Sequence, residues 1–213
     1  MRLPRPHPGL VVAGLLLAGG TIWLLDGGHR LFRPKRLGVV DEGHIWRAGQ
    51  IHRRLLTDVV REHGIDLVLD LARDTPGQPD EAAEGPLLER LGVERWTADD
   101  LEGDGTGNLG SYVTALQRLV DARDAGRRVL VHCAGGSERT GALVAWYRML
   151  FEGWDGPRAW DEYLAYRSRP PRDDVHPAYV NSHTADLVRR LEAAGVVVPH
   201  PSAGRFGPAE TAR

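Results

Sequence analysis

The sequence predicts an α/β protein, a mostly parallel, doubly wound twisted sheet flanked by helices and preceded by an N-terminal hydrophobic anchor helix. Two observations predict the sheet. Short apolar, β-branched runs at 44–47, 65–71, 93–96 and 129–131 alternate with stretches of helical period. Glycines at 64 and 92 stop two of those helical stretches where a left-handed cap is wanted. A third observation predicts the anchor: residues 9–25 are seventeen uncharged, mostly apolar residues ended by Asp26.

Taken in order, residues 1–8 are a basic lead carrying Arg2 and Arg5. Residues 9–25 lie at the lower limit of a membrane span, with Trp23 at the interfacial position. An uncleaved single-pass anchor in the cell membrane is the favoured reading. A signal-peptide core, with secretion after cleavage near Ala18-Gly19-Gly20, is the competitor. Basic residues flank the segment on both sides, so charge does not choose its orientation. Residues 26–42 read as a linker whose basic cluster (Arg30, Arg33, Lys35, Arg36) would touch anionic headgroups or simply stay solvated.

Residues 43–195 read as the globular domain. A strand at 44–47 leaves through Ala48-Gly49-Gln50, and an amphipathic helix over 53–63 leads to the strand at 65–71. The polar loop 72–80 precedes a helix that ends at Leu91, followed by the strand at 93–96. The acidic, glycine-rich loop 97–108 opens a helix over 109–123. After the strand at 129–131, a buried helix runs from Gly141, and two further helices cover 158–167 and 177–194. Residues 196–213 read as a flexible tail.

Charge limits the partners. The chain has 27 Lys and Arg against 29 Asp and Glu, and residues 1–37 hold six of the former and one of the latter. The rest, with 21 basic and 28 acidic residues, is acidic, which argues against nucleic acid. A single cysteine excludes an internal disulfide and points instead to chemistry.

That cysteine begins the most informative stretch. Val129-Leu130-Val131 feeds Cys133, a loop with Gly135 and Gly136, and then a helix N-terminus. Successive backbone amides and the positive end of a helix dipole make an anion nest. A thiol at its base should ionise readily, since such surroundings bring a cysteine from about 8.5 to roughly 3.5–7.5.

His132-Cys133-x-x-Gly136-x-x-Arg139-Thr140 resembles the active-site loop of the cysteine-dependent protein tyrosine and dual-specificity phosphatases. Trp46-Arg47-Ala48-Gly49-Gln50 and Leu69-Asp70-Leu71 resemble the opening of bacterial members, so the likeness extends over roughly 44–168. It implies a dual-specificity-phosphatase-like domain, here of a bacterial, membrane-anchored type, acting on a phosphorylated protein (phosphotyrosine) or a small phosphomonoester without metal or cofactor. Cys133 would attack phosphorus to form a phosphocysteine. The amides of Ala134, Gly135, Gly136, Ser137, Glu138 and Arg139, with the Arg139 fork, would hold the equatorial oxygens. The Thr140 hydroxyl would help the sulfur leave or simply cap the helix, and His132 would either orient the loop by bonding its backbone or be a plain strand-end histidine. The general acid is expected in loop 97–108, with Asp100 first by register from the strand, then Asp99 and Asp104. The absence of lysine from the loop, and a negative Glu138 at its mouth, tilt the substrate toward a singly phosphorylated group and away from polyphosphoinositides. Two other readings stand beside this one. A phospho-ligand-binding pseudophosphatase would keep the cradle but lack the acid, and a rhodanese-like sulfurtransferase is disfavoured by the Gly136 and Arg139-Thr140 spacing.

Overall fold

The structure, a computed structural model, describes residues 31–72, 75, 77–167 and 175–209. The expected anchor at 9–25 lies outside the described residues. Among the described residues no helix is long and apolar enough to cross a membrane. The elements below all belong to the unit that begins at residue 34.

Five strands form one mixed sheet: β1 (Gly38–Asp41), β2 (Ile45–Gly49), β3 (Leu67–Asp70), β4 (Glu94–Thr97) and β5 (Val129–Cys133). Their order is β1-β2-β5-β3-β4, with β1 antiparallel to β2 and every other pairing parallel. The last strand therefore fills the slot between β2 and β3 and is flanked on both sides. That explains its continuous apolar run, since all five of its residues are buried. Strand β1 falls inside the expected linker; Gly38 pairs with Arg47 and Val39 with Trp46, so the sheet begins earlier than the apolar pattern indicated.

Helices α1 (Arg53–His63) and α2 (Pro79–Leu91) cover one face. Helix α1 buries Leu56, Val59 and Val60, one turn apart, and Gly64 closes it at φ 61°. Pro79 starts α2, where a missing N–H costs nothing, and Asp80 and Glu81 face its dipole. The other face is covered by α3 (Leu109–Asp124), α4 (Glu138–Phe151), α5 (Gly156–Ala165) and α6 (Val175–Ala193). Helix α4 is buried from Thr140 to Phe151, which accounts for its apolar character all round.

Side chains alternate along β5. Val129, Val131 and Cys133 enter the α4 side of the core, while Leu130 enters the α1 side. His132 must follow Leu130, and so the two neighbours at the strand end work on opposite faces.

Residues 196–209 correct the expectation of a flexible tail. Val196, Val198 and Phe206 are buried, and the Asn181 amide clasps the Phe206 backbone with two hydrogen bonds of 2.8 Å. Burying side chains of that size is worth about 1.5–3 kcal/mol each, enough to hold a segment whose other residues look like linker.

Candidate active site

The parallel strands β2, β3 and β5 end together, and the crevice beyond their carboxyl ends is where such sheets bind ligands. Cys133 closes β5 with its side chain buried. Ala134 to Ser137 make the turn, and α4 starts at Glu138. Gly136 sits at φ 71°, and a Cβ there would lie 2.4 Å from Gly49 N and 2.6 Å from Ala48 O. Only glycine fits, because both the dihedral angle and the backbone of β2 forbid a side chain.

The Gly136 amide donates to Cys133 Sγ at 3.2 Å. Burial pushes this thiol up, but the Thr140 hydroxyl, the Arg139 charge and the amides of Thr140 and Gly136 outweigh it and hold the pKa below its ordinary value. The buried Thr140 Oγ1 has no hydrogen-bond partner of ordinary geometry among the described residues, which leaves the sulfur as the group its dipole serves. Arg139 Nε is likewise buried and without a partner among the described residues. A thiol of lowered pKa, a row of amides and a guanidinium donor without a partner among the described residues form a receptacle suited to a tetrahedral dianion.

His132 does not bond the loop backbone as expected. Strand alternation aims it at α2, where its Nε2 lies 3.0 Å from Glu84 Oε1 and its Nδ1 3.8 Å from Asp70 Oδ1. Arg95 completes the group, at 2.6 Å from Asp70 Oδ2 and 3.2 Å from Glu84 Oε1, and Gln50 donates to Glu84 Oε2 at 2.6 Å. Burial opposes charge on both partners. The carboxylates nevertheless raise the His132 pKa, and the imidazolium and Arg95 lower that of Glu84. Asp70, Glu84 and His132 have the spacing of a metal site. The positive charge there comes from Arg95 and from the imidazolium, so the cluster balances itself. Glu84 and Arg95 were invisible as site residues in the sequence, since they sit 48 and 37 positions before His132 with no local signature.

Loop 98–108 reaches the same crevice. It is a small hairpin, bridged between Leu101 and Gly107, with Glu102 N donating to Thr106 O at 2.9 Å. Its tip, Gly105, packs against the Glu138 backbone and His176, and its carbonyl accepts from Tyr112 Oη at 2.7 Å. The two loops therefore meet, as the architecture implied. Within the hairpin the carboxylates differ. Asp100 has both oxygens engaged, Oδ2 by Asn108 Nδ2 and Oδ1 by Ser111 Oγ, each at 2.7 Å. Asp99 is exposed on the strand side. Asp104 is exposed beside the tip; its Oδ1 accepts from the Thr106 amide (3.0 Å) and hydroxyl (2.7 Å). Slight burial works to raise its pKa, and the Thr106 bonds with the nearby His176 bring it below the ordinary value. Tyr112 feels Cys133, Arg139 and Asp104 alike, so these four groups share one neighbourhood.

Glu138 also departs from expectation. Tyr163 donates to its Oε2, and Arg167 lies 3.2 Å from its Oε1. Its charge at the mouth is compensated, which weakens the electrostatic case made from it against more highly phosphorylated substrates.

A mixed, mostly parallel sheet thus places one buried thiol of lowered pKa at the base of an amide-lined turn. Comparison with known proteins finds relatives of the same fold. A stretch of 89 residues is 33% identical to the dual specificity protein phosphatase TpbA of Pseudomonas aeruginosa, covering 41% of this chain and 40% of that protein. The crystal structure of P. aeruginosa TpbA superposes with a TM-score of 0.54 at 22% identity, over 75% of this chain and 96% of that one. The core catalytic domain of the PP-IP phosphatase SIW14 from S. cerevisiae gives 0.62 at 18% identity, over 76% and 93%. No family model matches the chain. The chain thus shares its fold with these structures, and a stretch spanning 40% of the curated relative's length is similar in sequence to a dual specificity protein phosphatase.

Proposed function

We propose that this chain hydrolyses phosphomonoesters through a phosphocysteine on Cys133. The observation that carries the reading is the Gly136 amide on the Cys133 sulfur at 3.2 Å, inside a loop that also offers a buried Arg139 Nε without a partner among the described residues. The thiolate attacks phosphorus, the bond from phosphorus to the ester oxygen breaks, and that oxygen takes a proton from a carboxylic acid. Water then attacks the phosphocysteine, giving a proton to the carboxylate left by the first step, phosphorus–sulfur cleavage releases phosphate and returns the thiolate, and Thr140 stabilises it with a hydrogen bond. Amides 134–139 and the Arg139 fork stabilise the equatorial oxygens in both steps.

Asp104 is the better candidate for the acid than Asp100. Its side chain is exposed at the hairpin tip beside the loop, whereas Asp100 spends both oxygens on Asn108 and Ser111 and so holds the hairpin to α3. A bound dianion would raise the Asp104 pKa by like charge and favour the protonated form the step needs.

The substrate class we favour is a phosphotyrosyl group, because Ala134, Gly135 and Ser137 bring no extra positive charge for further phosphates. TpbA has been crystallised with phosphotyrosine, and PTPMT1, another protein of this fold, with PI(5)P. The test is turnover of para-nitrophenyl phosphate, a phosphotyrosyl peptide and an inositol phosphate by the full chain and its Cys133→Ser variant. Turnover lost in the variant supports the reading. Vanadate binding without turnover by the wild type would instead mark a pseudophosphatase. Anchoring through residues 9–25 is part of the same proposal, supported by their hydropathy and tested by whether alkaline carbonate releases the chain from membranes.

A further inference from the structure

The basic pair Lys35-Arg36, read from sequence as part of a solvated tether, lies against the catalytic loop. Lys35 Nζ donates to Ala134 O at 2.8 Å, and Arg36 Nη1 donates to Gly135 O at 2.5 Å. From β2, the wholly buried Arg47 donates through Nη2 to Gly136 O at 3.2 Å. Three consecutive carbonyls of the loop thus each end on a cation.

A peptide unit is planar and trans, so a carbonyl that points one way sends the following N–H the other way. Holding the carbonyls of 134, 135 and 136 outward turns the amides of 135, 136 and 137 inward. One of the three is visible directly. The Gly135 carbonyl goes out to Arg36, and the Gly136 amide of the same peptide plane goes in to the Cys133 sulfur. The restraint is needed because the loop is Gly135-Gly136. Without Cβ atoms these peptides flip at little cost, and a flipped carbonyl would aim a lone pair at the incoming dianion.

The clamp is itself anchored. Lys35 O accepts from Gly49 N at 2.7 Å, and Arg36 is held at φ 51°, a conformation its side chain disfavours and one that needs surrounding contacts to persist. Arg47 stacks on Tyr166 at 3.8 Å. Burial lowers its pKa to about 10, so it remains charged at neutral pH.

We infer that Lys35 and Arg36, backed by Arg47, are positioning residues that fix the peptide orientation of the phosphate cradle. The inference rests on the phosphatase reading of the loop. In the full chain, Lys35→Met/Arg36→Met is expected to weaken orthovanadate binding about tenfold, the scale of losing charge-assisted hydrogen bonds. It should also move the pH profile of Cys133 alkylation upward, while Lys35→Arg/Arg36→Lys restores most of both. A folded Met variant with vanadate affinity and thiol profile within twofold of wild type overturns the inference, even if its melting temperature falls. Should the double variant fail to fold, each single Met variant is judged by the same two readouts. A wild-type chain that neither binds vanadate nor shows a lowered thiol pKa overturns the phosphatase reading first, and this inference with it.

Discussion

His132 Nε2 stands 3.0 Å from Glu84 Oε1, on the face of β5 opposite the sulfur of its neighbour Cys133. One strand end therefore carries a buried cation on one side and the nucleophile on the other, joined by a single peptide. His132 is paired with the Glu84 carboxylate rather than bonded to the loop backbone.

This pair sets a pH window for stability. The raised His132 pKa means its contribution is complete below the ordinary imidazole value of about 6.5 and is lost as pH climbs past the raised one. The lowered Glu84 pKa means its contribution is complete above the ordinary carboxylate value of about 4.3 and is lost as pH falls toward the depressed one. The melting temperature is expected to be highest between those limits and to decline on the alkaline side. Glu84→Gln should cost about 3–5 kcal/mol, because it strands buried charge, and should flatten the alkaline decline. Identical alkaline slopes in the two proteins would refute a charged His132.

The hairpin carboxylates separate by leaving group. Asp104→Asn is expected to slow phenyl phosphate about 10²-fold or more and para-nitrophenyl phosphate much less, since nitrophenolate departs without a proton. Asp100→Asn should lower both substrates equally, through a loosened hairpin. The reverse pattern in kcat would return the acid role to Asp100.

Gly136→Ala combines a left-handed dihedral with a Cβ 2.4 Å from the Gly49 nitrogen, where rigid backbone must move. It should cost about 2 kcal/mol or more and abolish vanadate binding. Gly135→Ala meets the Ser137 hydroxyl at 3.0 Å, a group that can rotate away, and the Ser137 nitrogen at an ordinary 3.7 Å, and should retain measurable affinity. Calorimetric titration with vanadate distinguishes the two, and equal losses would contradict the packing described.

Arg167→Ala would uncover the Glu138 charge at the mouth. The KM for para-nitrophenyl phosphate should rise a few-fold at low salt and less at high salt, with kcat little changed. Adding Glu138→Gln should reverse the rise; no reversal would mean that Arg167 acts on something other than this carboxylate.

Much of the scaffold could be read locally. Helix α1 begins and ends where its apolar spacing and Gly64 require, and the strand-loop-helix around Cys133 follows from a β-branched run, two glycines and a helix start. Strand β1 escaped because Gly38-Val39-Val40-Asp41 is short, and its pairing with β2 is decided across the sheet. The segment after Gly195 escaped because its few apolar residues follow no period and it is tied down by backbone bonds to distant positions, His200 N to Leu150 O and Phe206 to the Asn181 amide.

The sequence alone singled out Cys133, Arg139 and the shape of the turn between them, because these depend on residues within one short stretch and on local backbone chemistry. Tertiary structure decided what surrounds that turn. Which carboxylate sits at the hairpin tip beside it, what pairs with Glu138, which groups raise the His132 pKa and which cations meet the loop's carbonyls all depend on side chains from distant parts of the chain. Coulomb and hydrogen-bond energies follow distance in space, and the sheet brings together groups that the sequence keeps apart.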